Sequence, residues 1–177
     1  MERISDKVFN KGELVQYGNN GVCRVEDIVK GMPGLNDDTE YYVMVPINNR
    51  NNVIYLPTDN EKAKVRPVLK PEEVKTVLEG IDSLTEYVID NEKQCEIVYK
   101  EAIYSLDCIK WMELLKTLCV RKQTRALNGK KVTSTDERYF KNVSLKLTEE
   151  IGVSLGKEEA EKQINHVIEI FEGCVSL

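Results

Sequence analysis

Apolar and polar residues alternate through the first 70 residues of the chain, and this pattern predicts β-structure. Two alternating runs flank Gly18-Asn19-Asn20-Gly21, where glycine and asparagine supply the positive backbone angles that a short hairpin needs. The residues Val15, Tyr17, Cys23 and Val25 share one parity, as expected of strands with one buried face. Three further runs complete a small, barrel-like sheet of five short strands: Glu40–Pro46, Val53–Pro57 and Ala63–Val68.

From residue 71 onward apolar residues recur at helical spacing, so the remainder is predicted to be all-α. The first helix begins at Pro71, with two glutamates in its first turn. A less regular stretch, Asp82–Glu92, is predicted to link it to the rest. The other predicted helices are Gln94–Tyr104, Asp107–Arg125, one from about residue 134 to between Leu147 and Gly152, and Lys157–Phe171. The fold class is therefore α+β, with a β-module followed by a helical bundle.

Two helix starts carry capping signals. Ser105 is predicted to cap the helix that begins at Asp107. For the next helix, both Thr133-x-x-Asp136 and Ser134-x-x-Glu137 can serve as a capping box. Trp111, the only tryptophan, shares the apolar stripe of its helix with Cys108 and Leu115, which predicts a core position.

Composition places the chain among ordinary globular proteins: 177 residues, 41% of them apolar and 31% charged. No apolar run approaches the ~20 residues that span a bilayer, and the N-terminus lacks an apolar signal core. We therefore predict a cytoplasmic protein with no membrane partner.

Charge is segregated along the sequence, although the net charge is only −5. Residues 71–109 carry 3 basic and 10 acidic side chains, net −7, whereas residues 110–146 carry 10 basic and 3 acidic ones, net +7. A basic island of this kind indicates an anionic partner. The alternative is that the basic island pairs with the acidic segments of the same chain.

Candidate catalytic chemistry is sparse. The single histidine, His166, lies on an acidic amphipathic helix and is predicted to be a surface or boundary residue. The five cysteines form no C-x-x-C pair, which argues against zinc, and Cys23, Cys108 and Cys119 are predicted to be buried. No glycine-rich phosphate loop is present. The chain is predicted to be a non-enzyme without a metal or cofactor.

An ordered set of short motifs resembles the CarD/CdnL family of bacterial RNA-polymerase-binding transcription regulators. The opening carries a phenylalanine, a glycine three residues later, a Val-x-Tyr strand and a Gly-Val hairpin return. The later motifs follow in the family's order, so that the resemblance covers roughly residues 9–152. The matching residues are Phe9, Gly12, Val15, Tyr17, Gly21, Val22, Val65-Arg66-Pro67-Val68, Tyr99-Lys100, Ser105-x-Asp107 and Thr133-x-x-Asp136-x-Arg138.

The resemblance implies a domain plan and a polymerase-binding face. Residues 1–70 would form a Tudor-like β-barrel that binds the RNA polymerase β subunit through an exposed strand edge, residues 71–92 a helix and linker, and residues 93–177 a helical DNA-contacting domain. Where some relatives carry arginines for this contact, the chain has Gly31 and Tyr55. The implied polymerase-binding residues are Lys30, Gly31, Val53, Ile54 and Tyr55.

The resemblance also implies weak, sequence-independent contact with promoter DNA, which would modulate the stability of the open complex at the nucleoid. Many relatives insert a tryptophan into the minor groove, but that position is Cys95 here, and the two arginines that would follow it are Ile97 and Val98. The implied DNA-binding residues are Cys95, Tyr99, Lys100, Arg121, Lys122, Arg125, Arg138 and Lys141. The alternative function is a protein-only adaptor or scaffold that does not bind DNA.

Overall fold

A computed structural model describes residues 9–32, 38–89 and 91–173. Asp90, which belongs to the predicted linker, lies outside these ranges, and so does Cys174 near the C-terminus. The chain divides into two compact units, Met1–Val68 and Leu69–Leu177. The segment 71–92, predicted as a helix and linker, lies in the second unit.

The first unit contains a five-stranded antiparallel sheet with the spatial order β4-β3-β2-β1-β5. Its two outer strands, β4 and β5, are separated in space by the other three. The strands are β1 Leu14–Tyr17, β2 Gly21–Lys30, β3 Glu40–Pro46, β4 Ile54–Pro57 and β5 Val65–Pro67.

The predicted hairpin joins β1 to β2 through a 3-10 turn at Gly18–Asn20. Gly18 and Gly21 have φ values of 44° and 75°, in the left-handed region that glycine adopts without steric cost. The strand residues of the predicted apolar parity pack into one core, where the rings of Phe9 and Tyr42 meet edge to face at 5.6 Å. The buried members of this core are Phe9, Val15, Cys23, Val25, Tyr42, Met44, Leu56 and Val65.

A β-bulge interrupts β2 at Glu26. Val25 is opposite Met44 and Asp27 is opposite Val43, so β2 has one extra residue between two neighbouring positions of β3. A bulge locally increases strand twist, and it shifts the register of β2 against β3. Before the bulge the buried Val25 is opposite the buried Met44, whereas after it Ile28 is opposite the buried Tyr42 but is itself 39% exposed.

Within its described residues the second unit contains five helices, so the α+β class is confirmed. Two 3-10 turns, Ile81–Ser83 and Glu92–Gln94, lie between the first two helices. The helices are α1 Pro71–Glu79, α2 Cys95–Tyr104, α3 Cys108–Leu127, α4 Ser134–Leu155 and α5 Lys157–Gly173.

Trp111 lies at the centre of the helical core, as predicted, and is fully buried. Its indole Nε1 donates a hydrogen bond to the carbonyl oxygen of Ile103 at 3.2 Å, so the one polar atom of the ring is satisfied. The prediction that Cys23, Cys108 and Cys119 are buried is also confirmed. His166 is a surface residue on α5, as predicted. Among the described residues, no helix is long and apolar enough to cross a membrane.

The capping prediction for α3 is wrong. The cap is Asp107, whose carboxylate accepts hydrogen bonds from the backbone N–H groups of Ile109 and Lys110 at 2.9 and 3.3 Å. Ser105 instead ends α2, where its hydroxyl donates to the carbonyl oxygen of Ala102. The physical reason is Leu106, whose φ of 54° turns the chain in the left-handed region and moves the helix start beyond Ser105. For α4 the structure selects Thr133, whose Oγ1 accepts from the Asp136 N–H at 3.0 Å.

Candidate functional site

Strand β4 forms one edge of the N-terminal sheet, with β3 as its only neighbouring strand among the described residues. One side of its backbone is therefore unpaired within the sheet. Ile54 packs against the core, so Tyr55, of opposite parity, lies on the other face, across from Val43. Val53, just before the strand, is 49% exposed. This edge offers an unpaired backbone flanked by two partly exposed apolar side chains.

Lys30 and Gly31 lie away from this edge, at the C-terminal end of β2. Lys30 ends β2 opposite Glu40, and its Nζ is 2.9 Å from an Asp38 carboxylate oxygen. Gly31 has a φ of 75° and donates its N–H to the Thr39 carbonyl oxygen at 2.8 Å. Because β3 lies between β2 and β4, these two residues are about two strand spacings, or ~10 Å, from β4. The five predicted polymerase-binding residues thus lie on one end of β2 and along β4.

In the helical unit, the Glu92 carboxylate joins two of the predicted DNA-binding arginines. Its oxygens accept hydrogen bonds from Arg121 Nη2 at 2.9 and 3.0 Å and from Arg125 Nη1 at 3.3 Å. Arg125 is further held by a hydrogen bond from its Nε to the Lys131 carbonyl oxygen at 3.1 Å. The two guanidinium groups are therefore fixed by partners within the same unit.

Arg121 continues inward to a buried polar pair. Its Nη2 lies 3.5 Å from an Asp136 carboxylate oxygen, and the Tyr99 hydroxyl donates to the other Asp136 oxygen at 2.7 Å. Burial and the hydrogen bond to Asp136 raise the pKa of Tyr99 above its usual value, so the phenol keeps its proton and remains a donor. Burial alone would lower the pKa of Arg121, but its anionic neighbours outweigh burial and raise it, so the guanidinium stays charged.

A second acidic residue, Glu96, joins Lys100 and Arg138. The Glu96 Oε1 lies 3.3 Å from Lys100 Nζ and 3.0 Å from Arg138 Nη2. The hydrogen bond to Lys100, followed by the charges of Lys100 and Arg138, lowers the pKa of Glu96. Arg138 also lies over the Tyr139 ring, whose centroid is 5.2 Å from that of Tyr99. One connected network therefore contains Lys100, Arg121, Arg125 and Arg138.

The remaining predicted DNA-binding residues lie outside this chain of ion pairs. Lys122 pairs with Glu172 of α5 at 2.6 Å and lies over the Phe140 ring. Lys141 is exposed on α4 and makes no ion pair with another described residue. Cys95 is buried, with its thiol directed at Glu92 at 3.6 Å, whereas Ile97 is exposed. The α2 surface therefore presents Ile97 rather than the residue that replaces the family's tryptophan.

Reasoning from the sequence missed the acidic partners Glu92, Glu96 and Asp136. The available signal was the segregation of charge, because Glu92 and Glu96 lie in the acidic segment and the arginines in the basic one. Asp136 was visible only as part of a capping motif, and its contacts with Tyr99 and Arg121 span 37 and 15 residues. Within the described ranges, no group of three or more His, Cys, Asp or Glu residues is placed to hold a metal ion.

Comparison with known proteins identifies the N-terminal unit. A family model described as the CarD-like/TRCF RID domain matches residues 9–69, which include all five strands. A search of the curated proteins found no match. The RID domain is a non-enzymatic, RNA polymerase-interacting module. The match confirms the resemblance for residues 9–69: this part of the chain is an RNA polymerase-interacting domain of the CarD-like/TRCF type.

Proposed function

We propose that the chain is a transcription regulator that binds the RNA polymerase β subunit through strand β4 and contacts promoter DNA through the network face of its helical unit. It would act in the cytoplasm, at the nucleoid, by changing the stability of the open promoter complex. No catalytic step, metal or cofactor is part of this function. The observation that carries the proposal is an RID domain with an unpaired strand edge.

Polymerase binding through β4 follows from the physics of strand addition. A partner strand can pair with the unpaired backbone of β4, and the main-chain hydrogen bonds supply affinity whatever the side chains. Val53, just before β4, and Tyr55, on the face of β4 that points away from the core, would then add side-chain contacts. Since Gly31 and Tyr55 stand where some relatives have arginines, we expect this contact to depend less on charge.

DNA contact would fall to the exposed members of the network. Arg138, 61% exposed, together with Lys100 and Lys141, can reach phosphates by side-chain movement alone. Cys95 and Tyr99 are buried, so we assign them a supporting role: Tyr99 holds Asp136, the inner partner of Arg121, Cys95 contacts Glu92, and neither touches DNA. Because most of these cations already have carboxylate partners, affinity for DNA alone would be weak, and tethering by polymerase would supply the missing effective concentration.

A protein-only adaptor is the second candidate, and the ion pairs favour it. Arg121, Arg125, Arg138, Lys100 and Lys122 all have acidic partners in the helical unit. In this function the basic island stabilises the bundle and does not meet nucleic acid. The polymerase-binding role of the RID domain would be unchanged.

Two binding measurements on the full chain test the proposal and separate these candidates. Immobilised RNA polymerase β subunit should retain the chain, and its failure to do so would contradict both candidates. A promoter duplex at low salt should retain it weakly, with retention reduced by Lys141→Ala and Arg138→Ala. Retention on the β subunit with none on the duplex, even when polymerase is present, would favour the adaptor.

A further inference from the structure

A basic cleft of about 210 Å³ opens on the surface of the helical unit beside α3. Three of its residues belong to α3 and a fourth, Asn128, is the C-cap of that helix; they lie three, four and seven positions after Arg121 and so share one face. It contains three cationic side chains, two neutral ones that can form hydrogen bonds, and one carboxylate. The lining residues are Glu92, Arg121, Thr124, Arg125, Asn128 and Lys130.

The single carboxylate of the cleft lies where an anionic ligand would bind. Glu92 accepts hydrogen bonds from both guanidinium groups, with three N–O distances between 2.9 and 3.3 Å. Arginine side chains recognise phosphate oxygens with the same planar donor geometry that they use for carboxylate oxygens. Lys130 makes no ion pair with another described residue, so the cleft retains positive charge even with Glu92 in place.

The two arginines are held in position by groups other than Glu92. Their side chains are only 19% and 23% exposed, and Asp136 and the Lys131 carbonyl oxygen hold Arg121 and Arg125 respectively. Glu92, in contrast, is 58% exposed and lies on a single 3-10 turn. A rotamer change is enough to move its carboxylate into solvent, and the guanidinium groups would stay preorganised.

We propose that this cleft is a phosphate-binding site and that Glu92 is its internal competitor. A phosphate of the DNA backbone replaces the Glu92 carboxylate between Arg121 and Arg125, while Lys130 supplies a third positive charge. The DNA affinity of the isolated protein is therefore held low and rises when polymerase places DNA beside the cleft. This inference rests on the DNA contact proposed above and names the group that regulates it.

The test measures binding of a short labelled duplex to the full chain by fluorescence anisotropy over a range of salt concentrations. Glu92→Gln should tighten binding about five- to tenfold, and the plot of log K against log salt should steepen by about 1 as one more phosphate contact forms. The matched control is Glu79→Gln, the same substitution at an exposed, lysine-paired glutamate of α1. This control should leave the duplex affinity and the salt slope near their wild-type values. The double variant Glu92→Gln/Arg125→Ala should lose the increase in affinity that Glu92→Gln alone gives.

Two results would overturn the inference, and they differ in what they leave standing. If wild type binds the duplex and Glu92→Gln binds no better than Glu79→Gln, Glu92 is not a competitor, but DNA contact survives. If no variant binds the duplex at low salt, DNA contact itself fails and the inference falls with it. Thermal unfolding of Glu92→Gln checks that the fold is intact.

A competition arm identifies the source of the phosphate. Inorganic phosphate added at constant ionic strength should displace the duplex from Glu92→Gln no better than chloride does, if the site is built for a backbone phosphate. Displacement by phosphate well beyond the chloride effect would assign the cleft to a free phosphate instead and overturn its role in DNA binding.

Discussion

Burial decides which basic side chains of the helical unit can meet a partner. Arg121 lies mostly inside the unit, with Asp136 and Tyr99 behind it, whereas Arg138 lies largely in solvent. Removing a partly buried charge leaves its partner uncompensated, at a cost that can reach about 3 kcal/mol. Arg121 substitutions therefore report on stability as well as on binding, and the exposed Arg138 and Lys141 are the better probes of DNA contact.

Tyr99 is expected to stabilise the helical unit through its hydroxyl group. Tyr99→Phe keeps the ring but takes away a buried donor to Asp136, so we expect a loss of about 1–2 kcal/mol in the free energy of unfolding. Urea unfolding followed by the emission of Trp111, the only tryptophan and a residue of this core, measures the loss.

The matched control for Tyr99→Phe is Tyr139→Phe. The two rings lie 5.2 Å apart, but the Tyr139 hydroxyl has no hydrogen bond to another described residue. We expect Tyr139→Phe to change stability by less than about 0.5 kcal/mol. Equal losses in the two variants would show that the Tyr99–Asp136 hydrogen bond contributes nothing specific.

Helix caps show what sequence can and cannot determine at the level of elements. The strand Glu40–Pro46 is found at its predicted bounds, and the stop of α3 at Asn128-Gly129 follows from glycine's left-handed conformation. The cap of α3 was assigned to Ser105 instead of Asp107 because Leu106 adopts the left-handed region, which a leucine rarely does. A local pattern predicts the usual conformation of a residue, so such an exception is visible only in the structure.

The α4 cap distinguishes two motifs that the sequence left open. Thr133→Ala removes the side chain that accepts from the Asp136 N–H, and we expect a loss of about 1 kcal/mol in stability. Ser134→Ala, one residue later at the first helical position, should change stability little. Thermal unfolding of both variants measures the difference. A larger loss of stability for Ser134→Ala would show that Ser134, and not Thr133, caps α4.

In the proposed function, polymerase binding depends on strand β4. Tyr55→Asp places a charge on the exposed edge strand, and we expect at least a tenfold weaker affinity for the polymerase β subunit, measured by biolayer interferometry. The control is Lys62→Asp, a larger change of charge next to β5, the opposite edge. Lys62→Asp should bind the β subunit as tightly as wild type does. If Tyr55→Asp also binds as tightly as wild type, β4 is not part of the interface.

The candidate site was predictable in part. The strand Val53–Pro57 followed from the alternation of its residues, whereas its use as a docking edge was implied only by the family resemblance. The pairing of Glu92 with Arg121 and Arg125 did not follow, because it joins residues 29 and 33 positions apart through helix packing. Charge segregation left two interpretations open: the basic island binds an anionic partner, or it pairs with the acidic segments of the same chain.

For the whole molecule, the internal ion pairs limit the number of phosphates that the chain can neutralise. A protein that contacts Z phosphates shows a slope of about −0.9Z in log K against log salt. With most network cations paired, we expect wild type to contact about two or three phosphates, which gives a slope of about −2 to −3. Duplex binding by anisotropy across a salt series measures it, and a slope steeper than about −6 would mean that the ion pairs open on binding.

The lifetime of the open promoter complex tests the regulator most directly, because it requires both units of one chain. Purified polymerase on promoter DNA, challenged with a competitor, gives this lifetime with and without the protein. We expect wild type and Lys62→Asp to change the lifetime and Tyr55→Asp to leave it at the value for polymerase alone. No change with wild type, or the same change with Tyr55→Asp, would contradict a regulator that acts through β4.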